Sequence, residues 1–317
     1  MSATEAGELL ADLGLVGSPG AMAILLRATG AVACMEPGPH LLPARSSPRL
    51  LGDCLCRRPA RPVVKVAIPE GFDRFAVAER LEQAGVASRG AFAEASAAAV
   101  PLGSPDGGVG PAAKADTAEG YLFPATYQFP IDAAPADVVR RMVAEFERRW
   151  QKLAAAHREE LEALRASMGW GRHEVVVLAP MVEKEAADTK EQPLVASVFL
   201  NRLRDPSFPR KVLQSDPTAM YACRAMPELV PACAGFSGRA TQALNRDSRN
   251  PYSTYEHEGL PPGPIANPGT AALEAVLVPA RSRFFYFVAD GEGRHVFSVD
   301  LAEHEDAVRR LRERGGR

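Results

Sequence analysis

The chain has 317 residues, 46% hydrophobic and 24% charged, a balance that excludes wholesale disorder and predicts about two domains. Lys and Arg number 37 against 39 Asp and Glu, so the net charge of -2 offers no basic excess for a polyanion, and no nucleic-acid partner is expected. The five cysteines (Cys34, Cys54, Cys56, Cys223, Cys233) form no CxxC pair, which disfavours zinc, excludes a full disulfide framework and leaves room for one bridge.

No run approaches the roughly 18 apolar residues that cross a bilayer. The nearest, Ala21–Met35, is cut by Arg27 and Gly30, and the opening MSATEAGELL lacks the basic region of a secretory signal. Residues 10–22 (LADLGLVGSPGAM) and 81–92 (LEQAGVASRGAF) share a pattern: a helical segment, a Gly at the C-cap, a small hydrophobic pair and a Ser suited to cap the next helix. The β-rich run Val63–Ile68 and the turn at Pro69-Glu70-Gly71 precede the second copy. Two small α+β segments are therefore expected, over 1–62 and 63–100. Residues 101–117, rich in Pro, Gly and Ala, form a linker to a larger mixed α+β domain over 118–317.

In that domain Pro135–Leu164 reads as one long helix, with Val138, Met142, Phe146 and Trp150 on its apolar stripe. Val175–Leu178 is apolar and β-branched, so a strand is expected there, with Pro180 starting the following helix. Gln192–Arg204 is a second amphipathic helix, with Pro193 in its first turn. Phe284–Ala289 and Val296–Val299, separated by Asp290-Gly291-Glu292-Gly293, read as a hairpin, and Ala302–Arg314 as a terminal helix.

Four clusters carry candidate chemistry. Glu119 stands in EGYLFP, a mix of acid and aromatics that simple packing explains equally well. In VEKEA, Glu183 and Glu185 project roughly 200° apart on a helix, so they cannot share a cleft. Glu185 shares the more apolar face with Met181 and Val182. Partial desolvation there raises its pKa and keeps it protonated, as a general acid requires. An ordinary charged helix start is the plainer reading of the same residues. In LQSDPT an extended chain sends Gln214 and Asp216 to one side, an amide and a carboxylate suited to sugar hydroxyls; an Asp-Pro turn fits as well. The stretch NPYSTY, then GLPPGPIANPG, offers Tyr252 and Tyr255 in a loop whose path the prolines fix. Phosphate-binding, dinucleotide, GxSxG and HExxH signatures are missing, so neither a cofactor nor a metal is expected.

Taken together, these segments resemble the endolytic murein transglycosylase (YceG-like) family. The matches are EGYLFPATY (119–127), VEKEA (182–186), VASVFLNRL (195–203), LQSDPTAMY (213–221), NPYSTY through GLPPGPIANPG (250–269) and FYFVADGEGRHVFS (285–298). Six separated motifs in family order, over residues 63 to 310, make the resemblance specific. It implies a LysM-like module over 63–100 joined to the catalytic domain, and Glu185 as the catalytic acid/base. The remaining polar groups, Glu119, Asn201, Gln214, Asp216, Tyr252, Tyr255 and Asn267, are then expected to bind substrate.

The implied reaction is cleavage of the MurNAc–GlcNAc bond within peptidoglycan glycan strands, leaving 1,6-anhydro ends and terminating strand elongation. The implied partners are glycan strands and the cell-wall synthesis machinery. A muramidase using Asp216 as second acid, and a non-catalytic peptidoglycan-binding scaffold, are the alternatives. Family members are anchored in the inner membrane with the catalytic domain outside the cytoplasm. Since this chain shows no such helix, its true start is expected upstream or removed. Ala125 replaces an acid the family favours, and a Cys223–Cys233 bridge depends on an oxidising compartment, which the sequence leaves open.

Overall fold

The computed structural model describes residues 1–36, 38, 40–57, 62–98, 117–186 and 188–315. The expected linker, 101–117, lies outside them apart from Thr117. Contacts divide the chain into two compact units, Met1–Val64 and Lys65–Arg317.

The first unit is built on three helices, α1 (Ala3–Asp12), α2 (Pro19–Ala28) and α3 (Pro48–Leu55). Serine caps begin all three: Ser2 in a capping box with Glu5, Ser18 before Pro19 and Ser47 before Pro48. Ala6, Leu10, Met22, Leu26, Leu51 and Leu55 make its core, and a Cys34–Cys56 disulfide ties the segment after α2 to the end of α3. Gly7 permits the close approach of α1 and α2, since a Cβ there would lie 2.4 Å from the Pro19 carbonyl oxygen. Up to residue 57 the described regular elements are all helical, so the α+β character expected of 1–62 is corrected. Its few β-branched residues are isolated and never alternate, and nothing there favours a strand.

The division falls within β1 (Val63–Ala67), which is followed by α4 (Arg74–Gln83), α5 (Arg89–Ala97) and β2 (Thr126–Pro130), with β1 paired to β2. The second strand thus comes from beyond the linker. The module expected to close at residue 100 reaches residue 130. The repeat seen in the sequence is a helix corner used twice. Leu15 N–H bonds the Leu10 carbonyl and Val86 N–H the Leu81 carbonyl, both at 2.9 Å. Each corner turns on a left-handed glycine, Gly14 (φ 68°) and Gly85 (φ 69°).

Next come α6 (Pro135–Ala156), α7 (Arg158–Met168), α8 (Arg172–Glu185), α9 (Gln192–Arg204), α10 (Asp216–Ala225), the short α11 (Gln242–Asn245) and α12 (Thr270–Leu277). The hairpin β3 (Tyr286–Ala289) and β4 (His295–Ser298) is antiparallel, with Tyr286 opposite Ser298 and Ala289 opposite His295. Helix α13 (Leu301–Gly315) follows. The single helix expected over 135–164 is broken at His157, which leaves the helical region at φ -121°, ψ 41°.

The main departure is α8. Val175–Leu178 is helix rather than strand, and Pro180 lies inside it. Residues 175 to 182 are all buried, because α9, α10 and α12 pack against this helix. A helix buried on every side shows no 3.6-residue period, and its β-branched run imitates a strand. Two parallel hydrogen bonds of 2.8 Å from Arg172 to Glu147 anchor its first turn to α6.

Candidate active site

Glu185 is the last residue of α8; Ala186 leaves the helix at φ -100°, ψ 103°. It is half-buried, and its Oε1 accepts a 2.6 Å hydrogen bond from Ser215 Oγ. Burial pushes the carboxyl above its ordinary pKa, and Asp216 adds to the rise; Ser215, His295 and Arg202 work against it. The negative end of the helix dipole acts in the same direction as burial. A charged helix start would have done the opposite, so the plainer reading of EKE fails on the position of the helix. Glu183 turns elsewhere, accepting from Gly269 N–H at 2.9 Å, with its pKa raised to about 7 chiefly by burial.

Ser215 is aimed by its backbone. Gln214 adopts a left-handed conformation (φ 56°), rare for a residue with a Cβ, and is exposed. Its N–H bonds the Thr254 carbonyl (3.0 Å), and Ser215 N–H bonds Thr254 Oγ1 (3.0 Å). The turn before α10 is thus clamped to the NPYSTY loop. Asp216 Oδ1 accepts 2.7 Å bonds from both Tyr255 Oη and Asn245 Nδ2. Arg202 approaches from α9, donating from Nη1 to the Leu213 carbonyl (2.6 Å) and from Nε to the Phe285 carbonyl (2.7 Å). It is buried, which lowers its pKa to about 10, and among the described residues it forms no ion pair. His295 on β4 reaches Glu191 Oε2 at 2.8 Å. An open cleft of about 400 Å³ is lined by Asp73, Lys184, Pro217, Tyr221, Arg224 and Phe236 among others; it takes in the sequence neighbours Lys184 and Pro217 but not Glu185 or Asp216 themselves.

Of the residues predicted from sequence, Glu185, Gln214, Asp216 and Tyr255 come together. The others do not join them. Glu119 is buried, and its carboxyl accepts from Arg74 N–H, from Tyr221 Oη (3.0 Å) and from Asn267 Nδ2 (2.9 Å). Burial raises its pKa to about 8. Asn267 is equally enclosed, accepting from Leu122 N–H and donating to the Phe72 carbonyl, both at 2.8 Å. Asn201 donates to the carbonyls of Ser282 (3.1 Å) and Phe284 (3.0 Å), and Tyr252 packs its ring on Tyr221 at 5.0 Å. As direct sugar ligands Glu119 and Asn267 are corrected: no face of either reaches solvent. Ser215, Arg202, Thr254 and the Glu191–His295 pair went unnoticed in the sequence; the buried contacts that recruit them leave no local pattern.

The described residues include no group of three or more His, Cys, Asp or Glu able to hold a metal, and no helix long and apolar enough to cross a membrane. Two disulfides are present, Cys34–Cys56 and Cys223–Cys233, where the sequence left room for one; Cys54 is free and buried.

Known proteins bear on this arrangement. The family model described as "YceG-like family" matches residues 1–310. A protein named endolytic murein transglycosylase from Bacillus subtilis (strain 168) is 34% identical over 190 residues, 60% of this chain and 46% of the relative. One of the same name from Streptococcus pneumoniae (serotype 2, strain D39) is 30% identical over 192 residues, 60% of this chain and 31% of the relative. The chain thus spans less than half the length of these relatives. A crystal structure of a putative yceG-like protein from Listeria monocytogenes, 24% identical, superposes with a TM-score of 0.60 over 96% of this chain and 95% of that one, which speaks for the fold. The family model, spanning nearly the whole chain, makes this protein a member of the YceG-like family.

Proposed function

We propose that this chain is an endolytic lytic transglycosylase acting on peptidoglycan, with Glu185 as its single acid/base. The observation that carries the reading is the setting of that carboxyl: half-buried, at a helix C-terminus, its pKa pushed up by burial, and hydrogen-bonded by Ser215. A hydrolytic glycosidase needs two carboxyl groups in separate roles. Here the nearby Asp216 is engaged by Tyr255 and Asn245, which favours a one-acid mechanism.

In that mechanism Glu185 gives its proton to the glycosidic oxygen as the bond from MurNAc C1 breaks. The C6 hydroxyl of the same MurNAc then bonds to C1, and the Glu185 carboxylate takes the hydroxyl proton. No water is consumed, and the product is a 1,6-anhydro end. Gln214 and Asp216 line the path of the sugar, and Tyr255 orients Asp216. Cuts made within strands would end their elongation, a role that brings the enzyme beside the synthesis machinery. The β1–α4–α5–β2 module serves as a LysM-like grip on glycan. The two disulfides favour an oxidising compartment, outside the cytoplasm.

Purified sacculi digested by wild type and by Glu185→Gln, with mass analysis of the released ends, test this reading. Anhydro ends from wild type alone are expected. Reducing ends, one water heavier, would instead identify a muramidase, and cleavage by both forms would remove Glu185 from the mechanism.

A further inference from the structure

Two basic side chains bear on Glu185, and they differ in what engages them. His295, on β4, has its own carboxylate in Glu191. Arg202, on α9, is buried, and among the described residues its hydrogen-bond partners are carbonyl oxygens. Its guanidinium lies over the rings of Phe208 and Tyr286, at 5.6 and 5.4 Å. Such aromatic faces accommodate a cation without cancelling its charge. A buried, unpaired charge is costly unless something nearby uses it. The Leu213 carbonyl that holds Arg202 is two residues from the Ser215 hydroxyl that holds Glu185.

We infer that Arg202 is a positioning residue for the acid/base cycle, its fixed positive charge stabilising Glu185 in the carboxylate state that follows proton donation. The inference rests on Glu185 being the acid/base. A group that first gives and then retrieves a proton works best when its two states are close in free energy. Burial, the helix C-terminus and Asp216 all favour the protonated state. Ser215, His295 and Arg202 oppose them; His295 is bonded to Glu191, whereas Arg202 has no carboxylate partner among the described residues. The other groups facing Arg202 are Tyr255, Tyr286 and His304. Burial, with Arg202 itself, lowers the His304 pKa and favours its neutral form. On α8 itself Lys184 is exposed, and Glu183 is bonded to Gly269.

The test follows Glu185 directly, by carboxyl carbon-13 NMR of glutamate-labelled full-length protein, the signal being assigned by its loss in Glu185→Gln. Arg202→Gln retains an amide donor for one carbonyl but no charge. It is expected to raise the Glu185 midpoint by about one pH unit or more. Arg202→Lys keeps the charge, and its midpoint is expected near that of wild type. In sacculus digestion the alkaline limb of the pH profile should rise with the midpoint in Arg202→Gln, while kcat falls about tenfold. Arg202→Met, fitting between the same two rings, replaces the Gln form if that does not fold. An unmoved midpoint in the neutral variants, or equal movement in Lys and Gln, overturns the inference. So does a protein in which only the Lys form folds, since Arg202 would then be structural. If the midpoint moves as expected but wild type cleaves no glycan, the proposed function fails and the electrostatic role stands.

Discussion

Glu119 and Glu185 are both withdrawn from water with raised pKa values, yet their surroundings differ. Glu119 is enclosed by donors from three parts of the chain: the start of α4, α10 and the Asn267 loop. Glu185 has one side-chain donor, Ser215, and a face left half open. A carboxyl whose acceptor sites are filled by its own protein braces the fold, whereas one with room left can exchange a proton with a ligand. Desolvation alone does not separate the two; the unfilled acceptor sites do.

The sharpest way to break this contrast is to neutralise each acid and ask what is lost. Glu185→Gln should lower glycan cleavage by about 10²–10⁴-fold, the usual contribution of a positioned general acid. Its unfolding midpoint at pH 7 should not fall, because the amide carries no charge to desolvate. Activity retained with stability lost would reverse the two roles. Glu119→Ala is the converse: it takes the acceptor from Tyr221 Oη and from the Arg74 N–H in the interior and should cost about 3 kcal/mol in urea unfolding. Cleavage per folded molecule should stay within a few-fold of wild type. A loss of cleavage without a loss of stability would return Glu119 to the substrate groove.

Ser215→Ala sharpens the contrast further. It removes the one side-chain donor to Glu185 while the Gln214–Ser215 turn remains clamped by Thr254. The hydroxyl favours the ionised carboxyl, so its loss should raise the alkaline limb of the pH profile and slow cleavage about tenfold. An unmoved limb would mean that the hydroxyl only fills space.

How much of this could be read from the sequence follows the same physics. The corners at Gly14 and Gly85, Pro193 in the first turn of α9 and the β3–β4 hairpin all rest on local rules of capping and turn chemistry, and each is found. Helix α8 was misread because burial on all sides erased its period, and with it the fact that Glu185 stands at a C-terminus. Glu119 and Asn267 were read as sugar ligands because the family resemblance swept up the polar groups of its motifs; only packing reveals these two as enclosed. Arg202 drew no notice within an amphipathic helix, and Ser215 stood inside a possible Asp-Pro turn. Both owe their place to segments far along the chain, Phe285 for one and Thr254 for the other.

The smallest effect expected is also the one that reads the Glu119 proton itself. Its pKa is near 4.5 when unfolded and about 8 when folded. A raised folded value means that its stabilisation is complete below the unfolded pKa and lost as pH rises through the folded one. Between pH 7 and 8 the unfolded carboxyl binds almost no proton while the folded one releases part of its own. Unfolding free energy should therefore fall by about 1 kcal/mol over that interval on account of Glu119. Glu119→Gln keeps the shape, and its amide can donate to Tyr221 Oη if that hydroxyl turns to accept. The variant should thus fold, with a shallower decline; some slope remains because Glu183 and Glu185 also have raised values. Urea melts of both proteins at the two pH values measure the difference. Equal slopes would mean that Glu119 is already ionised in the fold, its donors outweighing burial, and that the two acids differ in charge state as well as in enclosure.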